Sequence, residues 1–493
     1  MRSSGELRSD TERAADDPVA HRRFLATIVA LVIVGLWIPQ IGSSFRLDET
    51  ATHWIVRDGV SDAVTRSTDY QPEPPGYFVG AWLTRTLLGG SETSLRLLSV
   101  VALLLATWLL IRTVQRLVDS ETGWLAGGLF VASQGVAFAA GDARPYGVSL
   151  AATMGVAFFL VRWIEDARKG DAAAIVLLSA TAIYLQYFSA VILAGFGLTA
   201  LALSRDRRRR TQLVAMVVAL AVLLIPAAIE VLAIARRRDM LAVSFPVSLP
   251  RLAEVILPPV LLLGLFAGAL VARLRGRMQI EPSNAKPMTF WLVLPWLLIL
   301  PIALYAISRL GSTTIFEPRY FIIVSPAIAI IAALGIRSIG PPAARRTMLL
   351  AVAVLSLVAF ASVTHSPDDW RGAARLVNER VDATTPVFIR PAYIESTRID
   401  WLRRPDKRAY LLSPLSSYPM NGRIELMPYA LDPPGRRYVD QVLAAILPVP
   451  RLLYVSLTPD DIGLWLRGRL EATGYTRTHV SAGSVSVDVY ERS

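Results

Sequence analysis

The chain has 493 residues, 53% of them hydrophobic and only 18% charged, against roughly 25% charged in ordinary soluble domains. The apolar residues gather into blocks of about 20, the length that crosses a ~30 Å hydrocarbon layer as a helix, which excludes an ordinary soluble enzyme. The net charge of +12 rests on Arg in short loops between those blocks, as topology control requires, so no nucleic-acid partner is expected.

Residues 1–20 are polar and read as a disordered cytoplasmic N-terminus. His21-Arg22-Arg23 precedes an apolar run over 24–41. That run is too long for a signal-peptide core, and no small-residue cleavage site follows it. It therefore reads as a retained first helix with its N-terminus inside. Ten further apolar segments lie near 93–112, 123–140, 147–164, 172–187, 189–203, 212–235, 252–272, 288–308, 320–337 and 347–363. The fold class predicted is a polytopic α-helical membrane protein with about eleven spans over residues 21–363. The segments at 172–187 and 189–203 are short and read as a hairpin that barely reaches the outer face. Gly123/Gly127 and Gly264/Gly268 have the four-residue spacing that permits close helix contact. Arg clusters mark the inner loops, except Arg236-Arg237-Arg238, which this count places outside.

The first outer loop, 42–91, is long and carries unusual polar residues. Asp48 can cap a helix over Glu49–Arg57, and Asp48 with Glu49 forms a carboxylate pair suited to general-base work. His53 follows Glu49 by one helical turn, a spacing expected of a local pair. Glu73-Pro74-Pro75-Gly76-Tyr77-Phe78 starts a second helix, with Tyr77, Phe78 and Trp82 at interface depth. Arg96-Leu97-Leu98-Ser99 opens the second span. Ala143-Arg144-Pro145-Tyr146 joins the third and fourth, and Glu317-Pro318-Arg319-Tyr320 the ninth and tenth. Several outer Arg residues beside Tyr suit a phosphate-bearing ligand, because the guanidinium fork matches phosphate oxygens.

After Val363 the long apolar runs cease. Residues 364–493 read as an extracytoplasmic α/β domain. Its expected elements are helices over 369–381, 438–446 and 462–472, strands over 387–390 and 452–457, and an edge strand over 480–490. The domain is a candidate for ligand recognition or for capping a site formed by the outer loops. With no Cys, disulfides and thiolate metal sites are excluded. No Asp-x-Asp occurs in the first outer loop, so no metal or other cofactor is predicted.

The order Asp48-Glu49, Pro74-Pro75-Gly76-Tyr77-Phe78, Arg96-Leu97-Leu98-Ser99, Ala143-Arg144-Pro145-Tyr146 and Pro318-Arg319-Tyr320 resembles the GT-C class of integral-membrane glycosyltransferases. The similar branch holds the protein O-mannosyltransferases, the aminoarabinose transferase of lipid A and a rhizobial galacturonosyltransferase-like group. The resemblance covers residues 24–363, and Asp369-Trp370-Arg371 also recurs in such proteins. It implies an inverting transfer of a sugar from a polyprenyl-phosphate donor to an envelope acceptor on the outer face of the bacterial cytoplasmic membrane. It implies Asp48 as base, with Glu49 beside it. Arg96, Arg144, Tyr146, Arg319, Tyr320, Tyr77 and Glu73 are then the donor-phosphate and substrate residues. One departure is Glu73, which stands where the aminoarabinose enzyme has a Lys for the donor phosphate. The alternatives are a carrier or flippase for a lipid-linked saccharide, with Glu230 as its ionisable group, and an outer-leaflet glycan ligase or polymerase.

Overall fold

A computed structural model describes residues 18–71, 73–235, 247–276, 279–280, 285–311, 314–363, 368–457 and 461–492. Of the segment expected to be disordered over 1–20, residues 1–17 lie outside them, as does the Arg236-Arg237-Arg238 cluster, while residues 18–20 begin the helix Pro18–Leu36. The chain divides into two units. The first contains residues 1–41, 72–77 and 96–364; the second contains 42–71, 78–95 and 365–493.

Every apolar segment of the first unit is helical. Among the described residues, six helices are long and apolar enough to cross a membrane: Val19–Ile41, Glu92–Leu117, Tyr146–Asp166, Pro287–Leu310, Pro318–Arg337 and Pro342–Ala361. The chain is a multi-pass membrane protein. Three more apolar stretches, expected as straight spans, are bent pairs instead. Ser120–Val131 meets Gln134–Ala140 at 66°, Arg207–Leu223 meets Ile225–Ile234 at 54°, and Leu249–Ile256 meets Pro259–Leu274 at 55°. Pro226 and Pro259 explain two of the breaks, since proline starts a helix but cannot continue one. Counted as single spans, the pairs raise the total to nine rather than eleven. The remaining two segments are helices of 17 and 15 residues, Lys169–Leu185 and Ser189–Leu203. At 1.5 Å per residue neither reaches ~30 Å.

Charged helix ends gather where inner loops were expected. Glu121 accepts from His21 at 2.9 Å and from Arg345 at 2.8 Å, and Arg337 meets Asp119 at 3.0 Å. Glu165 binds Arg116 at 3.0 Å and Lys286 at 2.8 Å. The glycine pairs act as close-contact surfaces. A Cβ on Gly268 would lie 2.6 Å from the Met348 backbone, and one on Gly264 2.8 Å from that of Val352. Gly123 comes as near the Ile111 carbonyl. Small residues there allow backbones to approach where lipid offers no hydrophobic drive.

In the second unit, residues after 368 build a five-stranded sheet: β1 (Pro386–Arg390), β2 (Arg423–Leu426), β3 (Arg451–Leu457), β4 (Tyr475–Ala482) and β5 (Val485–Arg492). The order is β2-β1-β3-β5-β4. The first three run parallel, linked by helical crossovers, and β4–β5 is an antiparallel hairpin. The single edge strand expected over 480–490 is therefore two strands. Gly483, at φ +60°, turns the chain between them, and the interior partner is β5. The strand β2 was not anticipated, because four residues give too little alternation to read. Trp370, Phe388, Tyr454 and Tyr490 are wholly buried in this unit's core.

The first outer loop contributes Leu47–Ile55, Val60–Asp69 and Pro75–Leu88. Its two earlier helices belong to the same unit as the sheet. Trp54 packs edge-on to Tyr70 at 5.1 Å and to Tyr410 at 5.7 Å, and Tyr393 lies 5.0 Å from Tyr410. Such aromatic pairs hold each other by ~0.5–1.5 kcal/mol beyond the area they bury. Pro75 does begin a helix, as expected. Tyr77 and Phe78 are buried rather than presented at interface depth, because with Ala81 they line one helical face that is wholly packed.

Candidate active site

The helix bearing the carboxylate pair starts at Leu47, two residues earlier than expected. Its cap is therefore not Asp48. The Glu49 carboxylate turns back and accepts from the Arg46 N–H at 2.8 Å, satisfying a donor that the first turn leaves open. Glu49 is fully buried as it makes this bond. Asp48 is half-exposed in the first turn, where the helix dipole favours its negative charge. The two adjacent carboxylates thus divide their work.

Around Asp48 the tail presents Asp368, Tyr393 and Glu395. Burial, with the charge of Asp48 added, pushes the Glu395 carboxyl up to about 7. Burial and the same charge raise Asp368. Sequence reading passed over all three, since nothing in the spacing of residues 300 positions apart signals that they meet.

A second polar cluster in this unit joins the loop to the tail. The Tyr418 hydroxyl donates to Glu92 at 2.6 Å and accepts from the Phe45 N–H at 2.8 Å. Arg371, from the Asp-Trp-Arg run, pairs with the same Glu92 carboxylate and donates to the Gly42 carbonyl at 3.2 Å. Burial and the bond to Glu92 push the Tyr418 phenol up to about 12.

His53, expected as a local partner of Glu49, has its ring between Arg85 at 2.8 Å and Ser417 at 3.0 Å. Arg85 can only donate, so Nε2 accepts and Nδ1 carries the proton. Burial, then the Arg85 charge, lowers the His53 pKa from 6.5 to about 4. The unfolded chain thus binds a proton at this residue between pH 6.5 and 4 that the folded chain refuses. Stability carried here is present above pH 6.5 and is lost as pH falls. His53→Gln should therefore lose less stability than wild type between pH 7 and pH 5, measured by unfolding midpoints in detergent.

In the first unit the structure brings five of the expected residues together. Arg144 is buried, 4% exposed, and pairs with Glu73. Tyr146, two residues on, begins the helix Tyr146–Asp166 and lies in the field of Arg319, Arg144 and Glu73. Arg319 lies on the 3₁₀ segment Pro318–Val324 with its guanidinium 5.9 Å from the Tyr320 ring. Tyr320 in turn packs at a tilt against Phe188, at 4.6 Å, in the turn between the two short helices. The local backbone fixes this arrangement: the Ser99 hydroxyl donates to the Asp142 carbonyl at 2.8 Å, and Gly76 lets its helix approach the Tyr184 carbonyl. A Cβ on Gly76 would come 2.5 Å from that oxygen. The set offers two guanidinium groups, two phenols and a carboxylate, a constellation able to bind and release a phosphate. Tyr77 belongs to the same unit and is 1% exposed.

Arg96 is placed differently. It is fully buried and donates to the Gln40 carbonyl at 2.8 Å and the Ile41 carbonyl at 3.1 Å. Those are open carbonyls at the end of the first span, where a cation is favoured. Gln40 itself donates to Leu36 and Ala137, both at 2.8 Å, so three helices are tied here. Glu230, the group named for a carrier, lies on Ile225–Ala235 beside Tyr187. Among the described residues, no three His, Asp or Glu side chains are grouped to hold a metal ion.

Residues 72–234 match the family model described as dolichyl-phosphate-mannose-protein mannosyltransferase. No curated protein sequence matches the chain. Among solved structures, ArnT from Cupriavidus metallidurans in the apo state aligns with TM-score 0.58 at 14% identity, covering 94% of this chain and 97% of that one. The same protein bound to undecaprenyl phosphate aligns with TM-score 0.56 at 14% identity over the same shares. The mycobacterial arabinofuranosyltransferase AftD aligns with TM-score 0.50 at 16% identity, covering 95% of this chain and 41% of that one.

Proposed function

From the GT-C fold of this chain, we propose that it is an inverting glycosyltransferase that takes a sugar from a polyprenyl phosphate. The acceptor is a lipid, glycan or protein of the cell envelope. In this reading the chain is embedded in the bacterial cytoplasmic membrane by its apolar helices, with the N-terminus inside and the α/β tail outside. The observation that carries the reading is the cluster of Arg144, Arg319, Tyr146, Tyr320 and Glu73 in the first unit. It is supported by a structural neighbour whose crystal contains undecaprenyl phosphate.

In this reading the anomeric carbon loses the donor phosphate while an acceptor oxygen attacks from the opposite face. The C–O bond to phosphate breaks as the new glycosidic bond forms, and the acceptor proton passes to Asp48. Arg144 and Arg319 stabilise the charge that grows on the departing phosphate, the kind of term that is commonly largest in catalysis. Tyr146 and Tyr320 orient phosphate oxygens. Glu73 holds Arg144 in the absence of donor. Arg96 acts through the helix ends it ties, and Glu49 through the cap it makes.

Purified protein in detergent, given the polyprenyl-linked sugar extract of the source strain, should consume one lipid species selectively by mass spectrometry. Transfer in detergent needs no compartments, so it also separates an enzyme from a carrier. Selective depletion of a diphosphate-linked glycan instead would defeat the monophosphate reading.

A further inference from the structure

Leu47 precedes the proposed base, and both of its peptide planes are held by tail side chains. Its N–H donates to Asp368 Oδ2 at 3.0 Å. The other oxygen of Asp368 accepts from the Ser484 hydroxyl at 2.9 Å, so the carboxylate is itself fixed. On the far side, the Leu47 carbonyl accepts from the Tyr393 hydroxyl at 2.8 Å and from Thr50 at 2.7 Å. Ser413 sits 2.8 Å from the Tyr393 oxygen and fixes that phenol in turn. Tyr393 is 5% exposed, and Thr50 and Ser413 are wholly buried. Two peptide planes fixed in this way fix the direction in which the next residue, Asp48, projects.

We propose that Asp368 and Tyr393 are positioning residues for Asp48: together they clamp the Leu47 backbone and aim the base. This rests on Asp48 being the base of the transfer proposed above. It gives the tail a part in the reaction distinct from acceptor choice. Asp368 adds a second effect. Asp48 lies within electrostatic reach of Asp368 and Glu395 and of the phenols of Tyr393 and Tyr410, and Arg46, at the start of its own helix, acts on Asp368 in turn. Negative neighbours make a carboxylate harder to ionise and therefore a stronger base. A clamp that carries charge both aims Asp48 and sets the pH at which it works.

The test uses the full chain in detergent, with two readouts. The first needs no substrate. Hydrogen exchange of the segment 46–50 should quicken about 10-fold or more in Tyr393→Phe and Asp368→Ala, with unchanged unfolding midpoints. The second follows consumption of the source strain's polyprenyl-linked sugar extract against pH. Tyr393→Phe should lower kcat about 10-fold with donor KM unchanged, because a misaimed group loses rate rather than binding. Asp368→Asn keeps an acceptor oxygen for Leu47 but removes the charge. It should move the acid limb of the rate profile down by about half a pH unit or more. A structural role alone would leave that limb in place. Unchanged exchange overturns the clamp, and an unmoved pH limb with kcat within about twofold of wild type overturns the positioning role. Asp48→Asn is the control that separates the two readings. If it retains full activity, both fall. If it is inactive while the clamp variants behave as wild type, only the clamp falls.

Discussion

Asp48→Asn should lower the rate of sugar transfer by ~10²–10⁴-fold, the usual effect of losing a positioned base. The variant should fold normally. Asp48 is half-exposed and is not the cap of its helix, so the change leaves the cap made by Glu49 intact. Glu49→Gln is the instructive companion. Its carboxylate is fully buried on the Arg46 N–H, and an amide oxygen can still accept that bond. Its effect should appear as a loss of about 0.5–2 kcal/mol in stability, the range for a weakened cap, with a much smaller loss of kcat. Unfolding midpoints read beside single-turnover rates distinguish the two residues. Equal losses of kcat in the pair would defeat the division of labour.

The second large effect concerns the Arg144–Glu73 pair. Arg144→Gln should weaken binding of undecaprenyl phosphate, used as probe, about 10–100-fold, as expected for a charged hydrogen bond worth ~1.5–3 kcal/mol. It also removes the ion-pair partner of the half-buried Glu73 carboxylate, so a loss of stability accompanies it. Glu73→Gln should act in the opposite direction on the ligand. With its competing carboxylate gone, the Arg144 fork is more available, and affinity for the same probe should hold or rise. A purely structural ion pair predicts something else: both variants lose stability and neither changes affinity. Titration of each purified variant with undecaprenyl phosphate in detergent decides between these outcomes.

The parts legible in the sequence are those governed by local chemistry. Apolar blocks predict helices, and every one is helical here. Pro75 starts a helix because its missing N–H is not needed at that position. Gly264 and Gly268 were readable as contact points from spacing alone. Arg144, Tyr146, Arg319, Tyr320 and Glu73 were each readable as polar residues between apolar segments, and they do assemble. What stayed hidden depends on distant partners. Arg96 has the motif of a ligand residue, yet its side chain is occupied by the carbonyls of Gln40 and Ile41. The cap of the first loop helix was misplaced because Asp and Glu both suit a first turn, and only the geometry shows which one turns back. Bends within three apolar stretches escaped notice because hydropathy averages over a break of one or two residues.

The clamp on Leu47 has a consequence for how the protein is made. The loop helix is synthesised early, yet Asp368 lies 321 residues and Tyr393 346 residues further along the chain. At ~5–20 residues per second, the ribosome needs roughly a quarter of a minute to a minute to deliver them. Through that interval the loop lacks the side chains that seat it. A nascent or prematurely terminated chain therefore presents a membrane domain whose proposed base, Asp48, is not yet aimed. Contacts of such long sequence separation are the last to be rewarded in folding. If Asp48 is the base proposed above, competence for transfer thus arrives only after the tail has been made.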